Sequence, residues 1–91
     1  MWTPVYTKRL EKDIYRCLKR GYDIEKFKEI VVRLVKDIPL QTHSKPHKLV
    51  GEFVNHWECH IKSDWLLIYR YDNLNRQIIF ESTGTHSDLF G

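Results

Sequence analysis

The sequence predicts an α+β fold in which an N-terminal helical hairpin packs on one face of a twisted antiparallel β-sheet. Two observations carry this prediction. Apolar residues recur at helical spacing through the first 38 positions, and from Leu49 onward they alternate with a period of two. A polar, proline-containing stretch, residues 39–47, separates the two regimes, so helices come first and a strand meander follows. The chain has 91 residues, 42% hydrophobic, 30% charged and 13% aromatic, which suits one small domain spanning residues 1–91 and excludes both a multidomain enzyme and a disordered tail.

Residues 2–6 are rich in β-formers, but Pro4 lacks an N–H and restricts them to a short edge strand. Thr7 then suits the N-cap of a helix to Arg20, with Leu10, Ile14, Cys17 and Leu18 on one face and Gly21 as its stop. Asp23 caps a second helix whose apolar set, Phe27, Ile30, Val31, Leu34, Val35 and Ile38, runs to Pro39. The connection at 39–47 carries His43 and His47. Four strands are expected after it, at 49–54, 56–61, 65–71 and 76–83, joined by links short enough for hairpins. In the second of these, Trp57, Cys59 and Ile61 point one way while His56, Glu58, His60 and Lys62 point the other. An ordinary half-buried strand would show the same alternation.

No window approaches about 18 consecutive apolar residues, and the N-terminus lacks the basic and apolar regions of a signal peptide, so a cytoplasmic protein without membrane contact is expected. Cys17 and Cys59 form no CxxC pair and lie inside apolar patterns, which marks them as reduced core residues. Net charge is +3, unevenly spread: residues 1–40 hold ten Lys/Arg against six Asp/Glu. That suits a polyanionic partner, nucleic acid or acidic protein, although a solvated helix surface explains it equally well.

All five histidines, at 43, 47, 56, 60 and 86, lie beyond residue 40. None has metal-site spacing, and no P-loop, nucleophile elbow or dinucleotide fingerprint is present, so neither metal nor cofactor is expected. Imidazoles can nevertheless cleave RNA. One takes the 2′-hydroxyl proton, another protonates the 5′ leaving oxygen, and Lys or Arg meets the charge on phosphorus.

Three blocks carry a resemblance: Trp57-Glu58-Cys59-His60-Ile61, Asp64-Trp65-Leu66-Leu67-Ile68-Tyr69, and Thr83-Gly84-Thr85-His86-Ser87-Asp88-Leu89-Phe90-Gly91. Together with the order of helical hairpin and meander, they resemble the YafQ-type toxins of the RelE/ParE superfamily. The resemblance implies the toxin of a type II toxin–antitoxin system, an mRNA endoribonuclease that enters the ribosomal A site and is held inactive by a cognate antitoxin of the RelB/DinJ kind. Operator DNA would be met only through that antitoxin. It further implies catalytic roles for His47, His60, Asp64 and His86, with His86 the general acid, and places Phe90 near the nucleotide. Family members usually carry arginine where this chain has Ser82. A hydroxyl cannot replace a bidentate cation, so either Lys62, Arg70 or another cation takes over at the phosphate, or activity is weakened. Lys8, Arg9, Lys12, Arg16, Lys19 and Arg20 would contact ribosomal RNA phosphates. The wider superfamily leaves open a non-cleaving alternative on this scaffold, either a gyrase poison or a decayed toxin acting only with its antitoxin in operon repression.

Overall fold

A computed structural model describes residues 1–91. The elements run β1 (Thr3–Tyr6), α1 (Lys8–Lys19), α2 (Ile24–Val35), β2 (His47–Lys48), β3 (Trp57–Lys62), β4 (Trp65–Asp72), β5 (Gln77–Gly84) and α3 (His86–Phe90). They form a five-stranded sheet in the order β1-β5-β4-β3-β2, with both long helices on one face. Strands β2 to β5 make the expected antiparallel meander, while β1 joins the outer edge of β5 in parallel, so the sheet is mixed.

The helix starts follow the local sequence. The Thr7 side chain accepts from the Leu10 N–H and Asp23 from the Glu25 N–H, each satisfying a donor that the first turn leaves free. On α1, Leu10, Ile14 and Cys17 pack inward as expected. Leu18 is exposed, and the remaining buried place on that helix belongs to Asp13. Helix α2 ends at Val35, short of Pro39. Asp37 takes a left-handed φ of 58°, which breaks the helix two residues ahead of Pro39, whose ring disfavours helical backbone at Ile38.

The strand expected at 49–54 does not form. Gly51 and Asn55 adopt φ of 71° and 69°, and Gly51–Phe53 curl into a 3₁₀ turn with Val50 and Val54 exposed. Strand pairing falls earlier, where His47 and Lys48 meet Glu58 and Trp57. The C-terminal helix α3 is also absent from the sequence reading. It is one turn long and closed by a reciprocal pair of side-chain-to-backbone hydrogen bonds between Thr85 and Asp88.

Two apolar clusters sandwich the sheet. The larger lies between it and α1 and α2, built from Leu10, Phe27, Ile30, Leu34, Leu67, Tyr69, Ile78 and Phe80 among others. Cys17 and Cys59 are free thiols within it, and burial pushes the Cys59 thiol up to about 12. The smaller cluster, Leu66, Ile68 and Leu89 with Leu49 and Phe53, covers part of the opposite face. That second face carries the ionisable side of β3. No helix is long and apolar enough to cross a membrane.

Candidate active site

His60 lies between inward-facing Cys59 and Ile61 on β3 and pairs with Leu66 of β4, so it faces away from the two long helices. Leu89, buried on Leu66 and Ile68, fastens α3 over the same face. This brings His86, the first residue of α3, beside the β3–β4 turn. There one oxygen of Asp64 receives two hydrogen bonds, from the His86 backbone N–H at 3.0 Å and from ring Nδ1 at 2.8 Å. A carboxylate only accepts, which assigns the ring proton to Nδ1 and leaves Nε2 open for proton transfer. Those two bonds, the backbone one first, hold the Asp64 carboxyl below the usual carboxylate range.

The ring centroid of His60 is 6.2 Å from that of His86, and Phe90 stands 6.3 Å from His86. Phe90 meets Phe53 edge to face at 5.9 Å, and Phe53 meets His56 in the same manner at 5.7 Å. A row of rings therefore crosses the open face. The sequence reading missed Phe53 because it assigned the residue to a strand.

His47 faces buried Glu58 across the β2–β3 pair, with Nε2 3.3 Å from the carboxylate and Nδ1 3.0 Å from the Lys45 carbonyl oxygen. Both its nitrogens are thus engaged by oxygen atoms, unlike His86 Nε2. Its carboxylate partner was visible in the sequence only as one of the ionisable residues on β3.

Of the expected phosphate-binding groups, Arg70 donates to Glu81 at 2.9 Å, and His56 lies 3.7 Å from the same carboxylate oxygen. Lys62 is exposed, has no ion pair, and shares with Tyr22, Ser63, Asp64, Trp65 and Thr85 the rim of a pocket of about 300 Å³. Ser82 does not stand where a phosphate can reach it. It is fully buried, and its hydroxyl donates to Asp13 of α1 at 2.6 Å. The period of two offers the signal, since it groups Ser82 with helix-facing Ile78 and Phe80.

Two residues expected on a free basic surface turn back into the fold. Arg20 grips Asp88 with two bonds of 2.6 and 3.0 Å, and Arg16 donates to the Thr83 carbonyl oxygen while lying 3.1 Å from Asp13. Lys8, Arg9, Lys12 and Lys19 stay exposed without ion pairs, Lys19 lying over the Tyr15 ring. His43 sits in a 3₁₀ turn against α2, on the helix side of the sheet. Trp65 is buried in the larger cluster and donates its indole N–H to Thr83.

The fold is shared with known proteins. Residues 2–91 match the family described as the bacterial toxin of type II toxin–antitoxin system, YafQ. The mRNA interferase toxin YafQ of Escherichia coli K12 is 38% identical over 88 residues, 94% of this chain and 92% of that protein. Among solved structures, the YafQ toxin in the E. coli DinJ–YafQ complex is 33% identical with a TM-score of 0.89, covering 99% of this chain and 98% of that one. A metal-bound toxin from Helicobacter pylori is 32% identical with a TM-score of 0.93, over 99% and 100%. In the present chain no three His, Cys, Asp or Glu side chains are grouped to hold an ion; the donors stand in pairs. With a family match over nearly its whole length and the fold that goes with it, the chain belongs to the YafQ family of type II toxin–antitoxin toxins.

Proposed function

We propose that residues 1–91 act as one cytoplasmic toxin domain, an endoribonuclease that cuts translated mRNA in the ribosomal A site and is silenced by a cognate antitoxin of the RelB/DinJ kind. The observation that carries this reading is His86 fixed on Asp64 with His60 beside it. Similarity to an mRNA interferase and to a toxin solved with its antitoxin DinJ supports the same assignment.

In the proposed step the 2′-hydroxyl attacks phosphorus while His60 removes its proton. The P–O5′ bond breaks as His86 Nε2 delivers a proton to the departing oxygen, leaving a 2′,3′-cyclic phosphate and a free 5′-hydroxyl. Asp64 keeps the His86 ring in one tautomer and rotation throughout. Lys62, the unpaired cation nearest Asp64 in the chain, meets the phosphate charge, with Arg70 available if RNA displaces Glu81. Phe90, half-exposed between His86 and Phe53, offers a stacking face to a base. His47, engaged at both nitrogens, contributes by holding β2 on Glu58. The exposed bases of α1, Lys8, Arg9, Lys12 and Lys19, contact ribosomal RNA phosphates.

The test is cleavage of an mRNA positioned on a ribosome by the wild-type protein and by His86→Ala, with the same RNA free in solution as control. Cutting only on ribosomes, slowed about 10² or more in the variant, is the expected outcome. A folded wild-type protein that leaves the mRNA intact would move the assignment to a non-cleaving toxin that acts by binding alone.

A further inference from the structure

We propose that Arg20, the residue capping the C-terminus of α1, acts through Asp88 as a positioning residue for His86, so that the end of a long helix holds the general acid in place. The inference rests on the ribonuclease reading above and deepens it.

Helix α3 is a single turn at the end of the chain, and no strand hydrogen bond reaches it. An isolated turn of five residues does not hold its shape in water, since nucleation costs more than one turn of hydrogen bonds returns. What holds it is local and asymmetric. Leu89 packs beneath it, Asp64 takes the His86 end, and Asp88 anchors the other side.

Asp88 does this with both oxygens. One accepts the Thr85 backbone N–H at 2.9 Å, which closes the N-terminus of the turn one residue before His86. The same oxygen lies 2.6 Å from Arg20 Nη1, while the other takes Arg20 Nη2 at 3.0 Å. A bidentate guanidinium–carboxylate pair fixes orientation as well as distance. Arg16 extends the anchor, reaching the Thr83 carbonyl oxygen at 3.2 Å and Asp13 at 3.1 Å, and Asp13 accepts from Ser82 and from the Thr83 N–H. A continuous set of hydrogen bonds thus runs from the end of α1 through Asp88 to Thr85, the residue before His86. The same guanidinium cannot also serve as a freely available RNA phosphate ligand while this pair is made.

A phosphate-binding Arg20 and a positioning Arg20 predict opposite effects of removing Asp88. A phosphate ligand freed from its carboxylate would bind the ribosome more tightly. A positioning pair broken at either end would slow the chemical step and leave binding alone.

The experiment compares the full-length wild type with Asp88→Ala, Arg20→Ala, Arg20→Lys and the exchange Arg20→Asp with Asp88→Arg. It measures ribosome affinity, the single-turnover cleavage rate on the bound complex, and the nuclear magnetic resonance signals of the His86 ring. Asp88→Ala and Arg20→Ala are each expected to cut about ten- to a hundredfold more slowly at nearly unchanged affinity, as small misplacements of a reacting group do. The ring signals move in both, and the exchange recovers part of the rate. Arg20→Lys keeps the charge and loses the fork, so it falls between; it carries the test if an alanine variant melts. Unchanged or faster cleavage by Asp88→Ala, or a loss confined to ribosome affinity in Arg20→Ala, overturns the proposal. Should the wild type prove inert on ribosomes, the ribonuclease reading fails, and the ring signals still decide the positioning: moved in Asp88→Ala supports it, unmoved refutes it.

Discussion

At the scale of single residues, the feature that decides the chemistry is the two-point attachment of His86 to one Asp64 oxygen. A single hydrogen bond would let the imidazole swing about it. The pair of bonds, from backbone and ring, fixes both χ angles and the tautomer. Asp64→Asn keeps the size of the side chain and removes the charge, and its amide no longer accepts with full strength. The two side chains remain 58–61% exposed, so solvent screens their attraction and the loss stays moderate. Single-turnover cleavage on ribosomes should fall about ten- to a hundredfold, less than in His86→Ala. An equal loss in both variants would mean that Asp64 takes part directly in proton transfer. Asp64 and His86 were singled out by the resemblance of the blocks that contain them, and the fold brings the two side chains together. The carboxylates of Asp13, Glu58, Glu81 and Asp88 were not, because each acquires its role from a partner brought by the fold. Asp13, for example, meets Ser82 and Thr83 from the other end of the chain.

At the scale of elements, local chemistry was read well and pairing less well. Helix starts depend on the few residues that cap them, so Thr7 and Asp23 could be recognised without knowing anything distant. The end of α2, the loss of a strand at 49–54 and the helix α3 depend on left-handed residues or on tethers. No period analysis registers these. Gly84 ends β5 and leads towards α3, close against Asp88 and Arg16. A methyl group there would stand 2.7 Å from Asp88 Oδ2, 2.9 Å from Asp88 Cβ and 3.0 Å from Arg16 Nη2. The Asp88 side chain cannot yield without leaving Thr85 and Arg20, and its Cβ moves only with α3. Gly84→Ala should therefore tilt α3 off Asp64, lowering cleavage by about tenfold or more. Its strain of roughly 1–3 kcal/mol should also lower the melting temperature by several degrees. Wild-type values in both measurements would mean that the turn adjusts freely and is not held as tightly as its contacts suggest.

For the molecule as a whole, stability and the site draw on the same charges. A chain of 91 residues has little apolar burial to spare, and the site end of the sheet is closed by ion pairs and hydrogen bonds where a larger protein would use core. Asp88 is held well below the usual carboxylate range, chiefly by Arg20. Asp72 is lowered by Asn75, and Asp64 by His86. Each folded-state value lies below the unfolded value of about 3.9. The protonated carboxyl is therefore favoured in the unfolded chain, which binds the proton first as pH drops. Their contribution to stability is complete above that value and is lost as pH falls through the folded-state values. The melting temperature should consequently decline below about pH 4. Asp88→Asn should melt lower at neutral pH and show a shallower acid decline, because the group whose protonation the fold resists most has been removed. Scanning calorimetry between pH 7 and pH 2 on the two proteins checks this. Curves that descend in parallel would mean that Asp88 binds its proton equally in both states, leaving the Arg20 pair without the energetic hold that its geometry implies.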